Sequence, residues 1–384
     1  MDQNSNKVIL LGGNHHNGLG LVRSFGRNGI CPYGIVIGKG AHNSFVTKSK
    51  YWEKTWSVDR EDEAIDIMLS VFSNETKKPV VIPWSDGAAE AIDENYERLR
   101  EYFILPSINE KQGAIIELMD KDRQIEYARQ FGLKMLPSRI VRLEQEEAYE
   151  PDYPVILKAV SSIEGGKADM FICAGKNDYT QSLEVLKKRG YSRILAQKYL
   201  SGRREYVVTG AISSKRYSFS AVRHMRQWPP SFGTGSFSET VVEKKILDFC
   251  EYTLKKISES GYRGTIDFEL FESDSGEFYL NEINWRSSGR NFVSKFTGVE
   301  SAYMYYCDVT GKEYETEPAG RVHVYSMNEV TDIKHVLRRN ISLVRWLSDL
   351  SKTKSFAIWD TSDMGPVVKR YMGMAQKFAG RNRS

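Results

Sequence analysis

The alternation of apolar and polar residues predicts an α/β region at the start of the chain. Four consecutive apolar residues end at Leu11, as in a buried strand, and Gly18 to Gly26 places apolar residues on one side of a helix. Further strands are predicted over Ile30 to Ile37 and over Val80 to Ile82. Strands that alternate with helices indicate a parallel sheet, so residues 1–106 are predicted to form one domain.

The loops after these strands carry polar residues that are candidates for ligand binding. A nicotinamide cofactor is disfavoured, because Arg23 stands where the third glycine of G-x-G-x-x-G belongs and no acid ends the second strand. The adjacent His15 and His16 are predicted to contact a ligand by hydrogen bonds. Ser85 or Asp86 is placed to cap the helix that follows.

Two short alternating runs between Gly264 and Gly289 flank Asp274-Ser275-Gly276 and predict a β-hairpin. With the tight turn at Ser275-Gly276, Glu269 and Glu282 face each other across the ladder. Opposed like charges destabilise a sheet, and the alternation adds Asp267 and Asn284 to the same face. A solvated hairpin edge is the alternative interpretation. The amide of Asn284, with Arg286 two residues later, favours instead a cradle for a hard divalent cation and a phosphate.

Glu269, followed by Glu282-Ile-Asn284-Trp-Arg286, resembles the metal and phosphate signature of the ATP-grasp superfamily. In that family an acid on one strand and E-x-N-x-R on the next bind two Mg²⁺ ions and the ATP phosphates. The family more often has Pro where this chain has Trp285. The resemblance implies a Rossmann-like pre-ATP-grasp domain followed by a two-lobed ATP-grasp fold, an α/β and α+β architecture. It also implies metal ligation by Glu269, Glu282 and Asn284, and catalytic roles for Arg286 and Lys158.

The strand Tyr153 to Lys158 ends its apolar run in a lysine, which needs an ion-pair partner or a ligand. Ser161 to Gly166 then resembles the glycine-rich flap of the family, although a plain hairpin turn is the alternative. With Lys158 present, a lysine on the phosphates under a mobile lid is favoured. The resemblance further assigns nucleotide contacts to Lys121, Ser161, Gly165, Gly166, Gln197, Lys198, Tyr199, Leu200 and Glu205.

Substrate contacts are predicted at the ends of other strands and in one long loop. Arg223 and His224 are placed at a strand end, before the glycine-rich loop Pro229 to Ser236. The substrate-binding candidates are His15, Asp86, Arg223, Gly233 and Ser288. Cys250 falls among apolar residues at helical spacing and is predicted to be a core residue.

The C-terminal part is predicted to contain an amphipathic helix over Val336 to Leu350 and a strand over Ser355 to Pro366. Its Asp360 to Pro366 segment is similar to ATP-grasp ligases related to D-aspartate ligase. The predicted domains are therefore residues 1–106, a small lobe at 107–200, a large lobe at 201–318 and a C-terminal cap at 319–384.

Bulk properties exclude several classes of protein. The net charge of +4 over 384 residues gives no case for nucleic-acid binding. Four dispersed cysteines suggest reduced thiols without zinc or disulfides, and a polar N-terminus with no long apolar run predicts a cytoplasmic protein without a membrane partner.

Together these features predict an ATP-dependent carboxylate–amine ligase that works through an acyl phosphate. Its cofactors would be ATP and two Mg²⁺ ions, with Mn²⁺ as the alternative metal. Its partners would be a small carboxylate and an amine, an amino acid among them, and a homodimer is left open. A phosphotransferase and a non-catalytic ATP-binding module remain the alternatives.

Overall fold

The computed structural model describes residues 5–144, 149–160, 169–230 and 233–381. The first sheet is parallel and has the strand order β3-β2-β1-β4 found in one half of doubly wound sheets. Its strands are β1 (Val8–Gly13), β2 (Tyr33–Ile37), β3 (Lys54–Val58) and β4 (Val80–Pro83). Leu10 packs into one core and Leu11 into another, because successive side chains alternate between the two faces. Burial on both faces explains the continuous apolar run of β1.

Helices flank this sheet, and a short strand that follows them pairs with another sheet. The helices are α1 (Asn17–Arg27), α2 (Glu61–Phe72), α3 (Asp86–Glu94) and α4 (Tyr96–Leu99), with 3-10 turns at Ala41–Asn43 and Val46–Lys48. Strand β5 (Ser107–Ile108) pairs with the large sheet described below. Ser85 precedes α3, but its hydroxyl accepts the backbone N–H of Gly13 at 3.1 Å and makes no capping bond.

The second sheet is antiparallel, with the order β6-β9-β7-β8. Helices α5 (Ala114–Met119) and α6 (Lys121–Gln130) precede it, and Asp120 caps α6 by accepting the backbone N–H of Asp122 at 2.9 Å. Its elements are β6 (Ser138–Arg142), β7 (Val155–Ala159), β8 (Phe171–Cys173), α7 (Lys176–Lys188) and β9 (Arg193–Lys198).

The third sheet runs in the order β14-β13-β10-β11-β12-β15-β16 and carries the predicted hairpin at one end. Its first strands are β10 (Arg204–Ile212), β11 (Tyr217–Trp228), β12 (Thr234–Thr240), β13 (Tyr262–Glu272) and β14 (Phe278–Asn284). Helix α8 (Lys244–Glu259) packs on it with Cys250 fully buried, as the sequence predicted. A 3-10 turn at Asn291–Val293, α9 (Ser294–Thr297) and α10 (Ser301–Thr310) follow.

The C-terminal residues extend this same sheet. Strand β15 (Tyr325–Met327) pairs with β12, and β16 (Thr353–Phe356) pairs with β15. The single helix predicted over Val336 to Leu350 is wrong, because α11 (Glu329–Leu337) and α12 (Leu343–Lys352) are separate and Ser342 caps the second. The predicted strand from Ser355 is also too long, since α13 (Met364–Arg381) begins before Pro366.

Candidate active site

The predicted hairpin forms, with Glu269 opposite Glu282 and Asp267 opposite Asn284. The turn differs from the prediction, because Ser273 and Glu277 close a loop of three residues. That turn alone would place Asn281 opposite Glu269. A bulge corrects the register, since Leu270 pairs with Leu280 and Glu269 already pairs with Glu282. Asn281 is the extra residue, and its side chain lies on the same face as Glu282.

Three carboxylates on this face lie in a partly closed cavity of about 570 Å³. Burial, and next the charge of Glu282, raise the pKa of Glu269 to about 7. Burial also raises the pKa of Asp267. Two amides offset part of the repulsion: Asn281 Nδ2 donates to Glu269 Oε2 at 3.0 Å, and Asn284 Nδ2 donates to Asp267 Oδ1 at 3.1 Å. The face therefore holds negative charge that a cation would relieve.

The chemistry of these residues fits Mg²⁺ held jointly by protein and phosphate. Among the residues described, no three His, Cys, Asp or Glu side chains form a compact all-protein metal cage. Mg²⁺ is usually bound by one or two carboxylates together with substrate phosphates, not by such a cage. Glu269 and Glu282 supply the two carboxylates, and Asn284 supplies an amide oxygen.

Lys158 and Lys121 meet this acidic face from the small sheet and from α6. Lys158 is buried in β7, and its Nζ donates to Asn281 Oδ1 at 3.5 Å. Burial lowers the pKa of Lys158 to about 8, despite the favourable charge of Glu282. Lys121 Nζ lies 3.6 Å from Glu282 Oε1. Both lysines line the cavity.

Arg286 lies at the far end of the same face and contacts two acids. Its Nε donates to Asp86 Oδ1 at 2.9 Å, and its NH1 lies 3.7 Å from Asp267 Oδ1. Asp86 begins α3, which flanks the parallel sheet, so this ion pair joins that sheet's surroundings to the large sheet at the cavity. Asp86 itself does not line the cavity, whereas Ser288 and Gly233 do.

The predicted nucleotide residues are only partly brought together. Gln197 and Glu205 line the cavity, and Glu205 forms an ion pair with Arg203 at 2.6 Å. The backbone N–H groups of Lys198 and Tyr199 donate to Pro137 and Pro154, both at 2.9 Å. Lys198, Tyr199 and Leu200 do not line the cavity, so their contact with adenine stays a prediction. Ser161, Gly165 and Gly166 lie outside the described residues.

The placement of Arg223 at a strand end is wrong, because β11 continues to Trp228. Arg223 pairs with Tyr206 across the ladder, on the face opposite the cavity, and its guanidinium binds Glu239. His224, one residue later, faces the cavity instead, with Nδ1 3.7 Å from Glu205 Oε2. Strand alternation from Glu205 and Val207 could have identified His224.

The cavity residues missed from the sequence include Asn281, Arg203 and Arg290. Arg290 is buried, its NH2 contacts the carbonyl of Gly235, and burial lowers its pKa to about 10. Arg290 follows Arg286 by four residues, and a second arginine beside Ser287-Ser-Gly289 was the available signal.

Both histidines of the first loop reach the cavity as neutral side chains. Burial, and next the charge of Arg286, lower the pKa of His15. Burial, with smaller contributions from His15, Arg290 and Arg370, lowers the pKa of His16 to about 3. They therefore offer hydrogen bonds without adding positive charge to Arg286 and Arg290.

Comparison with known proteins finds relatives and similar structures, although no protein-family model matches the chain. D-aspartate ligase from Enterococcus faecium is 25% identical over 330 residues, which cover 78% of this chain and 76% of that protein. N5-carboxyaminoimidazole synthetase from Staphylococcus aureus, complexed with ADP, superposes with a TM-score of 0.66 and 17% identity over 88% of each chain. A second similar structure is the biotin carboxylase domain of Hydrogenobacter thermophilus 2-oxoglutarate carboxylase, complexed with MgADP and bicarbonate. Its TM-score is 0.60 at 16% identity, and the match covers 81% of this chain and 71% of that one.

The fold is that of the ATP-grasp proteins, and the site carries residues of their signature. The curated relatives that the chain resembles are both ligases, D-aspartate ligase and D-alanine–D-alanine ligase. No helix in the described part of the chain has the length and apolar character to span a bilayer.

Proposed function

We propose that the chain joins a small carboxylate to an amine, with one ATP converted to ADP and phosphate. One observation carries this proposal. Lys158 and Lys121 lie opposite the acidic face of the hairpin, which presents Glu269, Glu282 and Asn284. That arrangement pairs cations for phosphate oxygens with oxygens for a divalent metal. Of the alternatives, neither a phosphotransferase nor a binding module is favoured by any contact in the site.

In the first step, an oxygen of the substrate carboxylate attacks the γ-phosphorus and the bond to the β-phosphate oxygen breaks. ADP leaves and an acyl phosphate remains. Lys158 and Lys121 hold the phosphate oxygens, and Arg286 lies where negative charge develops on the transferred group. Mg²⁺, held by Glu269, Glu282 and Asn284, would neutralise the charge on the β- and γ-phosphates. Two ions are proposed, with Mn²⁺ as a substitute.

In the second step, the amine nitrogen attacks the acyl carbon, the carbon–oxygen bond to phosphate breaks, and the amine loses a proton. Neutral His15 lines the cavity beside Arg286 and is a hydrogen-bond acceptor for that amine. The proposed nucleotide and substrate contacts of Glu205, Gln197, Gly233 and Ser288 are supported by their position on the cavity wall.

An amino acid is proposed as one substrate, with D-aspartate as the first candidate because of the related ligase from Enterococcus faecium. Cytoplasmic location and a homodimer stay predictions. The test is a screen of small carboxylates and D- and L-amino acids for phosphate release from MgATP. A ligase forms ADP only when carboxylate and amine are both present. ADP formed without an amine would identify a phosphotransferase, and binding without turnover a module.

A further inference from the structure

A second cavity of about 330 Å³ adjoins the reaction cavity on the C-terminal side. We call it the side cavity; its own wall includes Asn14, Phe45, Trp228, Asn328, Lys334 and Arg370. Its residues come from loops beside the parallel sheet, from β11 and β12, and from helices α11 and α13 and the segments next to them. Its volume is at the lower end of the range of ligand sites, roughly 300–1,000 Å³.

The two cavities are continuous around the first-loop histidines. His15, His16, Thr234 and Gly235 line both of them. A methyl group on Gly289 would lie 3.0 Å from His16 Nε2, so His16 contacts the segment that follows Arg286. A molecule in the side cavity can therefore extend past His16 to the proposed reaction centre.

The charge of the side cavity is positive. Among the described residues, its charged side chains are Arg370 and Lys334, and no carboxylate lines it. Two carboxylates of the adjacent helix α11 are engaged elsewhere. Glu329 accepts the backbone N–H groups of residues 357–359, and Asp332 binds Arg226 at 2.7 Å. The histidines at the junction are neutral, so they do not change this balance.

Arg370 has a buried donor that faces no partner. Its Nε is buried and has no hydrogen-bond partner among the residues that the structure describes. Its guanidinium carbon lies 5.1 Å from the centre of the Phe45 ring. Lys334 Nζ lies 6.0 Å from the centre of the Trp228 ring. The cations and the aromatic rings thus share one wall.

We propose that the side cavity binds the non-reacting anionic group of a substrate, with Arg370 as its main partner and Lys334 as a second cation. That group is a carboxylate or a phosphate, carried on an apolar or aromatic body that packs against Phe45 and Trp228. The inference rests on the proposed function, because it orients the reacting end of that substrate toward Arg286. It assigns α13 a role in selecting the substrate.

The test uses the full-length chain with MgADP bound and three probes of one shape: phenylacetate, phenyl phosphate and the neutral phenylacetamide. Titration calorimetry measures their affinities for the wild type and for Arg370→Met, Arg370→Lys and Lys369→Met. Lys369 is the matched control, since its Nζ contacts Asn43 and it does not line the cavity. We expect at least one anion to bind about tenfold or more tightly than the amide, as a charge-assisted hydrogen bond requires.

Arg370→Met should remove that preference, Arg370→Lys should keep part of it, and Lys369→Met should keep all of it. The tighter of the two anions identifies the group. Equal affinity for phenylacetamide, or an unchanged preference in Arg370→Met with normal MgADP binding, overturns the proposal. Amide formation with the same KM in Arg370→Met would reject the side cavity and leave the ligase. Anion binding that needs Arg370, without any amide formation, would support the side cavity and reject the ligase.

Discussion

Asn281 and Glu282 are consecutive residues of β14, yet both side chains lie on the acidic face of the hairpin. The bulge at this point adds Asn281 between Leu280, which packs in the core, and Glu282, which opposes Glu269. Asn281 then bridges Glu269 and Lys158 with its amide. A single extra residue thus couples the metal side of the site to the phosphate side.

Asn281→Ala should weaken Mg²⁺ binding, because Glu269 loses a hydrogen bond that favours its charged form. The expected loss is about threefold to tenfold at neutral pH, the range of a hydrogen bond worth ~0.5–1.5 kcal/mol. The Mg²⁺ concentration at half-maximal ADP formation measures it. Asn281→Asp is the companion variant, and wild-type Mg²⁺ dependence in the alanine variant would show that the bridge does not matter.

Glu282→Gln should abolish Mg²⁺-dependent turnover without lowering the melting temperature of the metal-free protein. The substitution removes one of two opposed charges, so repulsion across the ladder decreases. Glu277→Gln, in the exposed turn of the same hairpin, is the control and should keep full activity. Near-normal turnover of Glu282→Gln at low Mg²⁺ would exclude the hairpin as the metal site.

The raised pKa of Glu269, about 7 against an ordinary 4.5, predicts opposite pH effects on stability and on metal binding. The folded metal-free protein holds this proton more tightly than the unfolded chain does. The stability from protonation is therefore complete below pH 4.5 and is lost as the pH rises through about 7. Mg²⁺ affinity should rise over the same interval. Glu269→Gln should flatten both profiles, measured by thermal melts and Mg²⁺ titrations; an unchanged profile would contradict the assignment.

Lys158→Ala should weaken binding of a non-hydrolysable ATP analogue by about tenfold or more, the loss of a charge-assisted phosphate contact. Stability should change little, because the ammonium is buried at an unfavourable position that already lowers its pKa to about 8. The exposed Lys176, at the start of α7, gives the control variant Lys176→Ala. Unchanged affinity with a large drop in melting temperature would instead show that Lys158 is a structural ion-pair residue.

Arg286→Lys should lower kcat by roughly 10²–10³ while ATP affinity changes little, as for loss of a preorganised donor. Lysine keeps the charge but cannot offer two parallel donors. The contacts with Asp86 and Asp267 define the competing role, which is to neutralise those carboxylates. In that case lysine would substitute well and only Arg286→Met would lose activity, so kcat for both variants decides between the roles.

Strand alternation predicted the parts of the site that lie on one regular ladder. It placed Asp267, Glu269, Glu282 and Asn284 on one face correctly. The correct pairing came from a wrong turn, because the three-residue loop and the bulge offset each other. The predicted two-residue turn and the observed three-residue loop with its bulge give the same pairing of Glu269 with Glu282. No pattern in the sequence therefore distinguishes these two hairpins.

Site residues that are brought together by contacts between distant segments could not be predicted from the sequence. The side cavity joins Phe45 to Arg370, which are separated by most of the chain. The elements that helix α13 packs against cannot be predicted from periodicity, because they lie far from it in the sequence. Arg223 was predicted to contact the substrate, but the register of β11 against β10 places His224 on the cavity face instead.

The pairing of β15 with β12 has a consequence for truncated forms of the chain. A chain shortened after Pro318 would lose β15 and β16 and expose the edge of β12, which has seven residues and is mostly buried. Unpaired edges of that kind recruit other strands, so intermolecular association of the shortened chain is expected. The last two strands therefore protect the edge of β12 from intermolecular pairing, and they also connect the sheet to the helices around the side cavity.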